Sequence, residues 1–392
     1  MITFAKNIEP NIMKNANPFL LKGYKSKELF CDREVELEHL YTNVENGIDT
    51  TLISPRRMGK TGLILHLFEH YKKNKSVECV YVDINFAASQ TDFNKLLSEA
   101  ILKNFPEKTT IGKLFMNLLK GFRPIIRFDA ISGEPQVELS YHTEAEKIHT
   151  LQGILHFLDS QKPLIVLAID EFQQISDFPE KSTEAMLRST IQHLHNIRFI
   201  FCGSKKTIMT DMFANAKRPF YASTQFMYLD KINNEKYTSF IGKLFHKNGK
   251  QIGKDVISFV LDWTRTHTFY TQSLCNMIFS MSDNDSIVDM KIAKNACLEL
   301  MKRNEPTFFQ YKELLSASQW KYLIAVAKEN SVEQPSAKSF LMKHNIGTPT
   351  DSQRLKQSLL DKDLLLETTT TKEQTYYQVA DVFFSRWLER EF

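Results

Sequence analysis

An α/β chain is what this sequence predicts: a doubly wound parallel sheet, then a small all-helical segment, then a helix-rich module closed by two short paired strands. Three observations predict it. The stretch Thr50-Thr51-Leu52-Ile53-Ser54-Pro55-Arg56-Arg57-Met58-Gly59-Lys60-Thr61-Gly62-Leu63 runs from a β-branched apolar segment through a tight loop into an amphipathic helix, with Leu63, Ile64, Leu67, Phe68 and Tyr71 on one face. Further on, Lys162-Pro163-Leu164-Ile165-Val166-Leu167-Ala168-Ile169-Asp170-Glu171 is a continuous apolar run ending in two acids, as expected of a central parallel strand buried on both faces. Between and beyond these, strand-like and helix-like segments alternate to about residue 232.

The first stretch has the layout of a phosphate-binding loop. Backbone N–H groups at a loop and helix start converge on phosphate oxygens, aided by the partial positive charge of the helix N-terminus. Gly59 lets the backbone approach the anion, Lys60 places a compact charge on the β and γ oxygens, and the Thr61 hydroxyl is a ligand for Mg²⁺. Ser54, Pro55, Arg56, Arg57, Met58, Gly59, Lys60, Thr61 and Gly62 are thus the candidate cradle. The motif G-x-x-x-x-G-K-[ST] has glycine where this chain has Ser54, a residue small enough to turn there. Acids at the carboxyl end of a parallel strand face the crevice where open α/β sheets bind ligands. Asp170 is placed to hold the magnesium shell, and Glu171 to orient and deprotonate an attacking water. A chance tripeptide would account for the loop alone, and a solvated turn for one acid; neither accounts for both acids following a phosphate loop.

Composition bounds the classes. The 392 residues suffice for two or three domains. Fifty Lys plus Arg against 46 Asp plus Glu give +4, too mild to argue for nucleic acid by bulk charge. Five scattered cysteines, none with metal-ligand spacing, fit a reducing compartment. Apolar runs fall far short of the roughly 20 residues that span a bilayer, and no signal-peptide core is visible. The expectation is a cytoplasmic protein with no membrane partner.

Taken in order, residues 1 to 50 hold a polar, Asn-rich lead-in and then a helix for which Asp32 is the expected N-cap and Val35, Leu37, Leu40 and Tyr41 the expected buried face. Such a helix either brings an apolar side chain against a base or is an ordinary capped surface helix. Cys79 to Asn85 reads as a strand, and Asp92 to Phe105 as a helix stopped at Pro106. Residues 106 to 150 break the rhythm: Pro124 to Ala130 and Pro135 to His142 alternate like a hairpin insertion. Helices follow at about 144 to 160 and 184 to 195, and further strands at Arg198 to Ser204 and Gln225 to Leu229.

Phe30-Cys31-Asp32-Arg33-Glu34, the loop from Ser54 to Thr61, Ile169-Asp170-Glu171-Phe172-Gln173, Leu187-Arg188-Ser189, Phe201-Cys202-Gly203-Ser204 and Arg218-Pro219-Phe220-Tyr221 together resemble the archaeal-type AAA+ ATPases, relatives of the signal-transduction and origin-recognition NTPases. The resemblance implies ATP and ADP as ligands, Arg33 beside the nucleotide, Ser204 as the residue that senses the γ-phosphate, and Arg218 as a cis or trans arginine. Arginine is the usual group for a highly charged phosphoryl-transfer transition state; Arg56, Arg57 and Arg188 are further candidates, and a plain surface role for Arg218 stays open.

Residues 233 to 305 read as a helical lid without strand signals, in which Thr266-His267-Thr268-Phe269-Tyr270 resembles a Gly-His-Pro-Tyr segment but lacks its glycine and proline. Residues 306 to 392 read as a winged helix: helices at 318 to 328, 336 to 344 and 351 to 361, then strands 364 to 367 and 375 to 379 around a polar Thr/Lys tip. Gln353, Arg354, Lys356 and Gln357 are available for a DNA groove, but Asp351, Asp361 and Asp363 offset the local charge, which favours packing or a protein partner. The expected function is a Mg²⁺-dependent ATPase that uses hydrolysis as a conformational switch. A DNA-binding regulator, or a signalling or defence scaffold that forms homo-oligomers when ATP-loaded, stands as the alternative.

Overall fold

In the computed structural model, residues 17–74, 76–122, 124–283, 286–369 and 374–392 are described. The lead-in over residues 1–16 and the wing tip over 370–373 lie outside the described residues. The chain forms two compact bodies, one holding Lys22–Lys231 and the other Ile232–Phe392 together with the described residues up to Leu21.

The first body contains, in chain order, α1 (Glu34–Glu45), β1 (Thr50–Ile53), α2 (Lys60–Tyr71), β2 (Val77–Asp83), α3 (Gln90–Asn104), α4 (Thr110–Lys120), β3 (Ile125–Phe128), β4 (Pro135–Glu138), α5 (Glu144–Asp159), β5 (Leu164–Asp170), a 3₁₀ turn (Phe172–Asp177), α6 (Thr183–Ile191), β6 (Ile197–Gly203), α7 (Lys206–Ala214) and β7 (Gln225–Tyr228). Five strands make one parallel sheet in the order β2-β5-β6-β1-β7. The unbroken apolar run of β5 puts it inside the sheet, where both faces are covered. Ile165, Leu167 and Ile169 enter one apolar layer with Phe199, Phe201 and residues of α3 and α5; Val166 and Ala168 enter the other with Ile200, Cys202 and residues of α1 and α2. Strand ends therefore gather at one edge, with Asp83 opposite Asp170 and Ile53 opposite Gly203.

At the opposite edge, Asp49 ties β1 to both neighbours: its carboxylate accepts the Phe199 N–H at 2.8 Å and its carbonyl accepts the Gln225 N–H at 2.9 Å. Burial pushes the Asp49 carboxyl up to about 6, against the pull of that hydrogen bond and of Arg198.

Helix α1 differs from expectation. Its N-cap is Arg33, in a left-handed conformation with φ 78°, and Asp32 is also left-handed at φ 60°, so Asp32 does not cap the helix. Leu40 and Val44 are its buried apolar residues, Leu37 and Tyr41 pack at the margin, and Val35 is 60% exposed. The 106–150 region holds the antiparallel β3–β4 pair, with Ile126 opposite Val137, but helix α4 precedes it.

The second body contains α8 (Asn234–Lys247), β8 (Gln251–Ile252), α9 (Lys254–Trp263), α10 (Thr268–Met281), β9 (Ile287–Val288), α11 (Met290–Glu313), α12 (Ala317–Lys328), α13 (Lys338–Lys343), α14 (Pro349–Asp361), β10 (Leu365–Thr369), β11 (Thr375–Val379) and α15 (Val382–Glu391). The expected all-helical lid carries a short parallel pair, β8 with β9, too brief to leave an alternating pattern in sequence. Helix α11 runs through Pro306, so the expected boundary at 305/306 falls inside one helix. The carbonyl that proline leaves without an N–H partner is that of Lys302, and both residues are exposed, so water can satisfy it. The segment expected as a lid and the winged-helix segment are further joined by Arg265, which donates to Asn330 at 2.9 Å and Ser385 at 2.8 Å, and by Trp387, which donates to Glu305 at 3.1 Å.

Candidate nucleotide site

The loop between β1 and α2 is shaped by two left-handed residues, Arg57 at φ 63° and Gly59 at φ 98°. Glycine at 59 is the one that geometry favours. Ser54, in place of the motif's first glycine, keeps a negative φ; its N–H pairs with the Gly203 carbonyl at 3.1 Å and its hydroxyl donates to the Pro55 carbonyl at 3.1 Å. The position therefore continues the β1–β6 ladder and places no demand that only glycine meets. Pro55, Arg56 and Arg57 are exposed, Met58 is buried, and Gly62 lies under the Phe30 ring, where an added Cβ would sit 3.0 Å from a ring carbon.

Lys60 opens α2 and reaches the end of β5, its ammonium 2.8 Å from Asp170 Oδ1 and 3.2 Å from Glu171 Oε1. The Thr61 hydroxyl donates to Asp170 Oδ2 at 3.1 Å. From the end of β6, Ser204 Oγ donates to Glu171 Oε2 at 2.7 Å. The structure thus brings Lys60, Thr61, Asp170, Glu171 and Ser204 into one cluster at the carboxyl edge of the sheet. Glu171 takes a left-handed φ of 55°, uncommon for a non-glycine residue, and its N–H is held by Asp170 Oδ1 at 2.9 Å.

Burial pushes the Lys60 ammonium towards neutrality, but the Asp170 and Glu171 carboxylates more than offset it and hold its pKa above the ordinary value. Burial pushes Glu171 up, yet Lys60, the Ser204 hydroxyl and the Gln173 amide together hold it below the usual carboxylate range. Glu171 is therefore an ionised base at neutral pH.

Two neighbours escaped the sequence reading. Gln173 donates its amide to Glu171 Oε2, and the space beside it is so tight that a Cβ on Gly203 would meet Gln173 Oε1 at 2.5 Å. Tyr81, on β2, donates its phenol O–H to Asp170 Oδ2 at 2.7 Å. Its signal in sequence is position: two residues before the end of the strand that pairs with β5, on one face with the strand-end acid.

Two predicted residues lie in other pairings. Arg33 is buried, its guanidinium donating to Glu36 at 2.7 Å and to the Asp230 carbonyl. Arg218 is paired with Glu184 at 2.7 Å and approaches Asp211 at 3.5 Å. In the second body, Thr266 takes φ 54°, the left-handed region its absent glycine would favour, with its hydroxyl donating to Asn234 at 3.0 Å. Thr268 is the first residue of α10, the position proline favours.

A parallel sheet whose first strand feeds a phosphate loop, with a lysine and threonine facing strand-end acids, defines the class of P-loop nucleoside triphosphatases. The profile described as "ATPase domain predominantly from Archaea" matches residues 30–267, and the chain belongs to that family. A second profile, "Probable winged helix domain", matches residues 306–390. Among solved structures, the Walker-type ATPase PABY2304 of Pyrococcus abyssi is similar at a TM-score of 0.64 and 16% identity, over 95% of this chain and 99% of that one. The ORC2 protein of Aeropyrum pernix, in its ADPNP–ADP complexes, gives 0.60 and 14%, over 96% of each chain. The Aeropyrum pernix ORC1 protein in complex with DNA gives 0.50 and 10%, over 92% of this chain and 93% of that one. At these identities the likeness concerns the fold. Comparison with curated protein sequences gives no match. No helix among the described residues is long and apolar enough to cross a membrane.

Proposed function

We propose that this chain binds ATP with Mg²⁺ at the β1–α2 loop and hydrolyses it to ADP and phosphate as a conformational switch. One observation carries the reading: Lys60 and Thr61 touch Asp170 and Glu171 across 109 to 111 residues of sequence.

The donors suit the metal. Thr61 Oγ and Asp170 Oδ2 are hard oxygens 3.1 Å apart, the kind Mg²⁺ takes together with substrate phosphates. Held there, Mg²⁺ would neutralise charge on the β and γ oxygens. The loop N–H groups and Lys60 would bind the same oxygens. As the side chains stand, Glu171 shares its two oxygens among Lys60, Ser204 and Gln173. A phosphate in the loop competes for Lys60 and for the Ser204 hydroxyl, and so frees Glu171 to take a proton from the attacking water. Loss of the γ-phosphate returns both donors to Glu171. Arg218 serves as a transition-state arginine only if it leaves Glu184, and Arg33 reaches a nucleotide only if it leaves Glu36 and the Asp230 carbonyl.

The proposed parts are an ATPase domain to residue 232, a lid to 305 and a winged helix to 392, the last two moving together through α11. A protein partner suits the winged helix better than DNA. Lys356 lies over the Tyr377 ring at 4.7 Å, Gln357 donates to Asp361 at 2.8 Å and Arg354 stands 3.5 Å from Asp351, so three of the four groove candidates are paired within the module. The test is ATP turnover by the wild type and by Glu171→Gln, with nucleotide binding measured in parallel; undiminished turnover by the variant refutes the role of Glu171.

A further inference from the structure

We infer that Tyr81 is a positioning residue for the metal-binding carboxylate, its phenol fixing Asp170 in the orientation that faces Thr61. This rests on the magnesium-triphosphate reading above.

The Asp170 carboxylate, in a residue only 4% exposed, meets four donors. Oδ1 pairs with Lys60 at 2.8 Å and accepts the Glu171 N–H at 2.9 Å. Oδ2 accepts Thr61 at 3.1 Å and Tyr81 at 2.7 Å. These four do not have equal futures. Lys60 and Thr61 are the groups that a triphosphate and its metal recruit, whereas Tyr81 and the Glu171 N–H lie outside the loop. Once the first two turn to the ligand, the phenol is the side-chain donor left on Oδ2. It is also neutral, so it orients the carboxylate without cancelling the charge that a cation needs.

The sheet explains how the phenol gets there. Tyr81 pairs with Ala168, two residues short of Asp170 on β5. Residues two apart on a strand share a face and lie about 6.6 Å apart, a gap that a tyrosine ring spans and an aliphatic side chain does not. Ala168 is fully buried and small, which leaves room for the ring to lie along β5 towards the acid. Outer groups that orient a ligating carboxylate commonly set metal affinity, and their loss costs roughly 10- to 100-fold.

The experiment compares wild type and Tyr81→Phe in a Glu171→Gln background, so that binding is read without turnover. Binding of a fluorescent ATP analogue is titrated with Mg²⁺ and with Mn²⁺, and repeated in EDTA; Mn²⁺ binding is also followed by its paramagnetic resonance signal. The expected result is a metal midpoint raised roughly 10- to 100-fold in Tyr81→Phe, with analogue affinity in EDTA unchanged. An unchanged metal midpoint overturns the assignment of Tyr81 and leaves the site reading intact. An equal loss of affinity with and without metal also overturns it, because the phenol would then shape the fold rather than the carboxylate. If the wild-type background binds the analogue with no dependence on metal, the magnesium reading fails, and the role of Tyr81 fails with it.

Discussion

The polar side chains at the edge of the parallel sheet and those on α14 of the winged helix are both hydrogen-bonded, but they are bonded differently. At the sheet edge, Lys60, Thr61 and Tyr81 reach Asp170 or Glu171 across 89 to 111 residues, and Lys60 and Asp170 are almost wholly buried. On α14 the pairings are mostly local and exposed: Arg354 with Asp351 at 3.5 Å, Gln357 with Asp361 at 2.8 Å. Helix geometry and solvent explain the second set without invoking a ligand. Nothing in folding requires the first, since gathering a buried lysine with one buried and one half-buried acid costs desolvation that an apolar cluster would avoid. Long-range buried charge is what the proposed chemistry needs, and short-range exposed charge is what a folded surface carries.

The largest expected effect would come from Lys60→Ala, which leaves Asp170 and Glu171 side by side without their cation. Nucleotide binding should vanish in calorimetry, and chemical denaturation should report a loss of roughly 3–5 kcal/mol. Retained stability would mean that the cluster is not electrostatically coupled. Next, Glu171→Gln should keep nucleotide affinity while turnover falls about 10²- to 10⁴-fold, the usual contribution of a positioned base.

A half-buried acid with no role in the site sharpens the contrast. Folding raises the Asp49 carboxyl from 3.8 to about 6, so the native protein holds that proton more tightly than the unfolded chain does. Its unfavourable contribution therefore grows between those two values and is complete above about pH 6. Asp49→Asn, whose amide oxygen still accepts the Phe199 N–H, should unfold like the wild type below pH 4 and be more stable by about 2 kcal/mol at pH 8, with ATP turnover unchanged. The smallest effects belong to α14. Lys356→Ala should cost about 0.5–1 kcal/mol through its lost contact with Tyr377, and Arg354→Ala under about 0.5 kcal/mol by denaturation. Salt-dependent duplex binding that either change abolishes would break the comparison outright.

The sheet and the loop were legible because their signals are local: an apolar run long enough only for a buried strand, and a lysine and threonine opening a helix. Asp170 and Glu171 were legible because they close such a run. What stayed hidden depends on register or on backbone strain. Tyr81 reaches Asp170 only because β2 pairs with β5 so that Asp83 stands opposite Asp170. Asp32 has the composition of an N-cap, yet Arg33 occupies that position in a left-handed turn that arginine seldom adopts. Val35 fits the periodicity of α1 but faces solvent, since Leu40 and Val44 supply its contact with the sheet. The expected boundary at 305/306 is crossed by α11, which passes through Pro306 because the residue whose carbonyl it strands, Lys302, is exposed.

That uninterrupted α11 has a mechanical reading. Its 24 residues make about 36 Å of helix at about 1.5 Å per residue, rooted beside α10 in the lid and ending against the winged helix. Tilting such a rod by about 10° at its Met290 end sweeps the Glu313 end through roughly 6 Å. A displacement no larger than a side-chain rearrangement at one end would thus arrive at the other as the width of a peptide strand, already amplified.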